Sequence, residues 1–209
     1  HARDLFEGLM NQDAAGNLVP GVATGYEVSD DGLVYTFTLR DNAKWSNGDP
    51  VVAGDFEYAW KRAASPELAS PYSWYVGLMA IENVDAVIAG DMDKSELGVT
   101  ALDDTTLEVR LSQPLPYFPQ MVVHTTTFPV HAATVEAHGA DWTKPENIVA
   151  EFPLTLPGEA QPQVGESAPL LADEVAEPAA DNVVTDADAA DDVAVEENIA
   201  AEPLNEAPS

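Results

Sequence analysis

The stretch Asp31-Gly32-Leu33-Val34-Tyr35-Thr36-Phe37-Thr38-Leu39-Arg40-Asp41-Asn42-Ala43-Lys44-Trp45-Ser46-Asn47-Gly48-Asp49-Pro50 alternates along its first half. Leu33, Tyr35, Phe37 and Leu39 share one side, and Val34, Thr36 and Thr38 the other. A period of two with one apolar side is the pattern of a strand with one buried face. Upstream, Ser29-Asp30-Asp31-Gly32 separates this run from Tyr26–Val28, which predicts a hairpin. Downstream, Asn47-Gly48-Asp49-Pro50 is a turn leading into a helix over about Ala53–Ala64. Phe56 and Trp60 stand one turn apart in that helix, and Pro66 follows its end.

On the N-terminal side, Leu5, Phe6, Leu9 and Met10 recur at helical spacing, so Arg3–Met10 is expected as a short amphipathic helix. Ala15-Gly16-Asn17 reads as a turn. On the C-terminal side, a helix-like stretch from about Tyr72 carries an apolar stripe, Ile81, Val84 and Ile88, to a stop at Gly90. A second hairpin follows: Gly98–Leu102, the Asp103-Asp104 turn, then Thr106–Leu111. Pro114, Pro116 and Pro119 break the chain around an apolar segment through Val123, and a last helix over roughly His131–His138 ends at Gly139. Strands and helices are mixed without regular alternation, which predicts an α+β (mixed α/β) fold rather than a Rossmann repeat.

Composition divides the chain into residues 1–149 and an acidic segment, 150–209. All 8 Lys and Arg, all 4 His and all 4 Trp precede Ala150. From Glu151 to Ser209 there are acids but no bases, and Phe152 is the one aromatic residue. Ala, Pro, Glu, Asp and Val dominate there. Such a segment buries too little apolar surface to offset its ordering entropy, and its charges repel one another, so it is expected to be a disordered tail with at most marginal helix around Asp192–Ala201. The whole chain, 209 residues long, carries a formal net charge of -29. That charge repels phosphate backbones and anionic membranes, which excludes nucleic acid as a partner. With no cysteine there is neither a disulfide staple nor a thiolate metal site, in keeping with many exported bacterial proteins. No apolar run approaches the roughly 18–20 residues of a membrane span, and no signal peptide is read at His1-Ala2-Arg3-Asp4.

The Asp31–Pro50 run resembles the signature of the family 5 bacterial extracellular solute-binding proteins. The likeness extends upstream through Arg3-Asp4-Leu5-Phe6-Glu7-Gly8-Leu9. Downstream it takes in Asp55-Phe56, Ser70-Pro71-Tyr72, Leu97-Gly98-Val99, Thr106-Leu107-Glu108-Val109 and Pro114-Leu115-Pro116-Tyr117-Phe118. It continues through Thr127-Phe128-Pro129-Val130 to Trp142-Thr143-Lys144-Pro145-Glu146-Asn147-Ile148-Val149. The resemblance implies the noncatalytic, peptide-capturing component of an ABC importer: periplasmic, holding an extended peptide between two lobes, and delivering it to a permease. It implies no cofactor. By resemblance Tyr72 matches a tyrosine lining the peptide cleft, and His124 a polar pocket position.

The pattern also departs from the family. A Gly-Ala-Tyr-containing strand would follow Asn147-Ile148-Val149, where Ala150-Glu151-Phe152-Pro153 stands, so the chain reads as a truncated or chimeric member containing part of one lobe. Val52 occupies a position where a helix-capping Thr is frequent, and Gly54 falls in the first turn of the same helix. An alternative function is a non-binding fragment that acts as a structural or interaction protein through its acidic tail.

Each candidate residue also has a plainer reading. Tyr72 after Ser70-Pro71 suits an aromatic packed beside a helix start, and His124 suits a strand-end histidine. Trp45, Trp60 and Trp74 read as core or hairpin anchors. His124, His131 and His138 recur every seventh residue, but only the last two would share a helix. They would then stand two turns, roughly 10 Å, apart along its axis, too far to chelate one ion. Asp186, Asp188 and Glu197 mimic three positions of an EF-hand loop, but Ala190 and Asp191 stand where an oxygen ligand and a glycine are needed, so no metal is expected. Asp103-Asp104 between two strands reads as a turn rather than an acid–base pair. No nucleophile elbow, P-loop, dinucleotide fingerprint or metalloprotease motif is present, which argues against an enzyme.

Overall fold

The computed structural model describes residues 5–151. The acidic segment beyond Glu151, its EF-hand-like stretch and the start of the Arg3–Met10 helix lie outside the described residues. The decisive alternation forms a hairpin between β3 (Ala23–Val28) and β4 (Val34–Leu39), with Tyr26 opposite Phe37 and Val28 opposite Tyr35. Its turn closes through a bond from Gly32 N–H to the Ser29 carbonyl (2.8 Å), and Gly32 adopts φ +71°, which a side chain would resist. The second hairpin pairs β5 (Val99–Asp103) with β6 (Thr106–Arg110). One antiparallel sheet results, in the order β3-β4-β6-β5, because β4 and β6 pair along their length with Tyr35 opposite Val109 and Phe37 opposite Leu107.

The apolar side of this sheet is the floor of the core. Tyr35, Phe37, Leu39, Leu107 and Val109 are all buried, and helix α1 (Ala53–Ala64) buries Phe56 and Trp60 in the same core. The Trp60 indole N–H donates to the Thr127 carbonyl at 2.8 Å, tying α1 to the chain that follows the prolines. Phe118 completes the core. Fully buried, it opens the short helix α4 (Phe118–Met121) and packs on Tyr35, Phe37 and Trp60.

Two expectations need correcting. Over Arg3–Met10 only Leu5, among the described residues, is helical; Met10 begins a strand, β1 (Met10–Gln12), paired with β2 (Leu18–Pro20). The Leu9 carbonyl accepts from Gly21 and Ala23, and the Gly8 carbonyl from Val22, so tertiary pairing takes the backbone groups a helix would use. The apolar spacing that suggested a helix serves core contact instead, with Leu9 and Met10 both buried. The stretch from Tyr72 to Gly90 is likewise not one helix but two, α2 (Ser73–Leu78) and α3 (Val84–Ala89). Between them Ala80 and Asn83 take positive φ (51° and 66°), and Ile81 bridges to Leu111 at the end of β6. The apolar stripe is nevertheless used: Ile81 and Val84 are buried, Ile88 packs against the core, and Gly90 ends α3 in the left-handed conformation. A last helix, α5 (Ala132–His138), is capped by His131, whose Nδ1 accepts from the Thr134 N–H at 3.3 Å.

Candidate functional site

Tyr72 and His124 are brought to one groove. Tyr72 stands at the N-terminus of α2, held by its N–H to the Ser70 Oγ (3.2 Å), and leaves half its surface exposed. His124 caps the 3-10 turn Thr125–Thr127: its Nδ1 accepts from the Thr126 N–H at 3.2 Å. A neutral ring therefore carries its proton on Nε2. The two rings lie 6.1 Å apart and tilted. Tyr75 fixes the histidine from its other neighbourhood, stacked on it at 4.1 Å and 24°, while its own hydroxyl donates to the Met121 carbonyl at 2.9 Å. Burial raises the Tyr75 phenol's pKa, so the hydroxyl stays a donor.

The groove has a volume of about 360 Å³. Leu68, Phe128 and Trp142 supply apolar wall, and Ser70, Thr125 and Thr126 polar wall. Arg62 also lines it, at the edge of α1. The sequence marks Arg62 only as a polar position on a helix. It becomes a wall because the fold brings residues 68–72 and 124–130 to the same groove as Arg62, which no local periodicity encodes. A second groove, of about 520 Å³, shares Arg62 and Leu68 with the first and runs past Lys61 and Lys94, but these two cations already hold Glu57 (2.6 Å) and Glu67 (2.9 Å).

The histidines at seven-residue spacing do not converge. His124 sits in the groove, whereas both ring nitrogens of His131 are engaged, with Thr134 Oγ1 (2.7 Å) and Asp49 (3.1 Å). Among the described residues no three His, Cys, Asp or Glu side chains cluster as a metal site would require. Asp103 serves its turn, accepting from the Thr105 N–H (2.8 Å) and from both threonine hydroxyls beyond it. Sequence reasoning missed a buried charged cluster at the far end of the described chain. Glu7 and Glu151 share the Arg40 guanidinium, at 2.7 and 3.4 Å.

A sheet backed by helices, with an aromatic groove open on one side, is the architecture of a lobe from a ligand-binding protein. The chain belongs to the bacterial extracellular solute-binding proteins, family 5, whose model matches residues 17–151. Members of this family bind solutes and are not enzymes. The periplasmic murein peptide-binding protein MppA of Escherichia coli is 49% identical over 154 residues, which cover 74% of this chain and 28% of MppA. The periplasmic oligopeptide-binding protein OppA of Salmonella typhimurium is 51% identical over 148 residues, 71% of this chain and 27% of OppA. The chain thus spans a little over a quarter of the length of these relatives. The structure of Haemophilus influenzae OppA in complex with the peptide RPPGFSPFR matches with TM-score 0.69 at 42% identity, covering 71% of this chain and 29% of that one. The mixed α/β fold is accordingly part of a lobe of the periplasmic binding protein architecture. No helix among the described residues is long and apolar enough to cross a membrane.

Proposed function

We propose that this lobe takes part in capturing short peptides in the periplasm, for delivery to the permease of an ABC importer. The observation that carries the reading is the meeting of Tyr72 and His124, remote in sequence, on one groove in which the histidine is held by a stacked ring and a backbone N–H. A half-exposed tyrosine beside a fixed imidazole offers a peptide both an apolar face and polar contact, and the hydroxyls of Ser70, Thr125 and Thr126 extend the polar wall. The relatives support the ligand class, since the names of MppA and OppA state murein peptide and oligopeptide binding. They are also named periplasmic, which supports the compartment. Tyr72 and His124 are the residues assigned to ligand contact, with no cofactor.

A thermal unfolding scan of the full chain, with and without a mixed pool of tri- to pentapeptides, tests this. A ligand at about 100 times its dissociation constant stabilises the folded state by about 2.7 kcal/mol. An upward shift of a cooperative melt is the expected result. A cooperative melt that no member of the pool moves overturns the reading.

A further inference from the structure

Arg62 stands apart from the other bases of the chain. Among the described residues Arg40, Lys61, Lys94, Arg110 and Lys144 each hold a carboxylate within 3 Å. His131 holds Asp49 as well. Lys44 has no such partner but is exposed. Arg62 alone among the described Lys and Arg residues is partly buried and carries no carboxylate, in a chain where 37 acids face 8 bases. It lines the same groove as Tyr72 and His124. Arg62 also borders the neighbouring groove, but there the acids Glu57 and Glu67 are taken by Lys61 and Lys94, whereas Arg62 holds no carboxylate.

We propose that Arg62 receives a carboxylate of the bound peptide, either an acidic side chain or the C-terminus. The inference rests on the peptide-capture reading and adds the chemistry that the groove selects. A planar guanidinium presents paired N–H donors that match a carboxylate, and such charge-assisted bonds are stronger and more directional than neutral ones. The rest of the molecule works against anions: a net charge of -29 repels them at long range. A preference for acidic peptides therefore requires a local cation in the groove.

The experiment is a calorimetric titration of the full chain at 0.15 M salt with matched peptide pairs. Glu-Ala-Ala, Ala-Glu-Ala and Ala-Ala-Glu are each compared with their Gln counterparts, and trialanine with trialanine amide. Loss of about tenfold in affinity in one Gln series identifies a side-chain carboxylate, and the same loss on amidation identifies the C-terminus. Arg62→Gln is expected to bring that affinity ratio close to one, and Arg62→Lys to keep a reduced preference. A melting curve of each variant checks its folding, and Arg62→Lys carries the assignment to Arg62 if Arg62→Gln does not fold, an undiminished preference in it overturning the role.

Equal binding of every wild-type pair overturns the role of Arg62 and leaves peptide capture standing. A preference that persists undiminished in Arg62→Gln also overturns it, because another group would be responsible. Failure of all these peptides to bind would remove the peptide reading, and this inference with it.

Discussion

Arg40 and Glu151 meet at 3.4 Å although 111 residues separate them, and the same guanidinium nitrogen already holds Glu7 at 2.7 Å. Two buried carboxylates thus share one cation. Glu151 is fully buried and its Oε2 accepts from the Glu7 N–H at 3.4 Å, while Arg40 Nε and Nη1 are buried without a hydrogen-bond partner. Burial and the neighbouring Glu7 charge push the Glu151 carboxyl up to about 8, against the pull of Arg40. Glu7 is raised as well, with burial outweighing Arg40 and the bond from Asn11.

The sign of the pH dependence follows. Unfolded, Glu151 titrates near its ordinary 4.5; folded, near about 8. Between those values the native state keeps a proton that the unfolded state has released, so the stability due to this group falls as pH rises from 4.5 to about 8, then levels off. Glu151→Gln should flatten this slope and stabilise the protein at pH 8 by on the order of 2–4 kcal/mol. Urea melts of both proteins from pH 5 to pH 9 check it, and parallel curves would contradict it.

A second carboxylate fastens the first hairpin region to α1. Asp55 Oδ2 accepts from the Trp45 indole N–H and from the Val52 N–H, both at 3.0 Å. Its pKa is raised because burial outweighs these bonds. Asp55→Ala orphans one buried and one partly buried donor and should cost about 2–4 kcal/mol, whereas Asp55→Asn, which keeps an acceptor, should cost less. Equal losses in denaturant melts would show that the bonds themselves matter little.

The start of the same helix can be improved. Val52 sits at the N-cap with extended backbone (φ -122°, ψ 162°) and offers no side-chain acceptor. Val52→Thr supplies a hydroxyl of similar shape and should stabilise by about 0.5–1 kcal/mol. A Cβ on Gly54 would meet nothing closer than a Val52 methyl at 3.9 Å, so Gly54→Ala should add about 0.5–1 kcal/mol. Melting temperatures of the single and double variants read both effects.

The elements legible in the sequence are those whose signals are local. Both hairpins and α1 follow from alternation, turn residues and a 3.6-residue apolar repeat, and α1 spans Ala53–Ala64 as expected. Where tertiary contacts decide, reading fails. Leu9 and Met10 fit a helix by spacing but are drawn into strand pairing by Gly21–Ala23. Asn83 is of a type that tolerates positive φ but Ala80 is not, and the bridge from Ile81 to Leu111 lies between them. In the groove, Tyr72 and His124 follow from family resemblance, while Arg62 and the stacked Tyr75 take their places only through tertiary packing.

Tyr72 and Tyr75 separate ligand contact from scaffolding within one short helix region. Tyr72 is half exposed and its hydroxyl holds no hydrogen bond within the described residues, so Tyr72→Ala should change the unliganded melt little, within about 0.5 kcal/mol. It should nevertheless remove most of the stabilisation that peptides confer. Tyr75 is partly buried, bonded to the Met121 carbonyl and stacked on His124, so Tyr75→Leu should lower the unliganded stability by about 1–2 kcal/mol. Tyr75→Phe keeps the stack and loses only the hydroxyl bond, which predicts a smaller loss and a preserved response to peptide. The measurement is one set of thermal melts, with and without the peptide pool, across the three variants. Were Tyr72→Ala to keep the full peptide shift, ligand contact would have to move away from Tyr72, toward other lining residues such as Phe128 and Trp142.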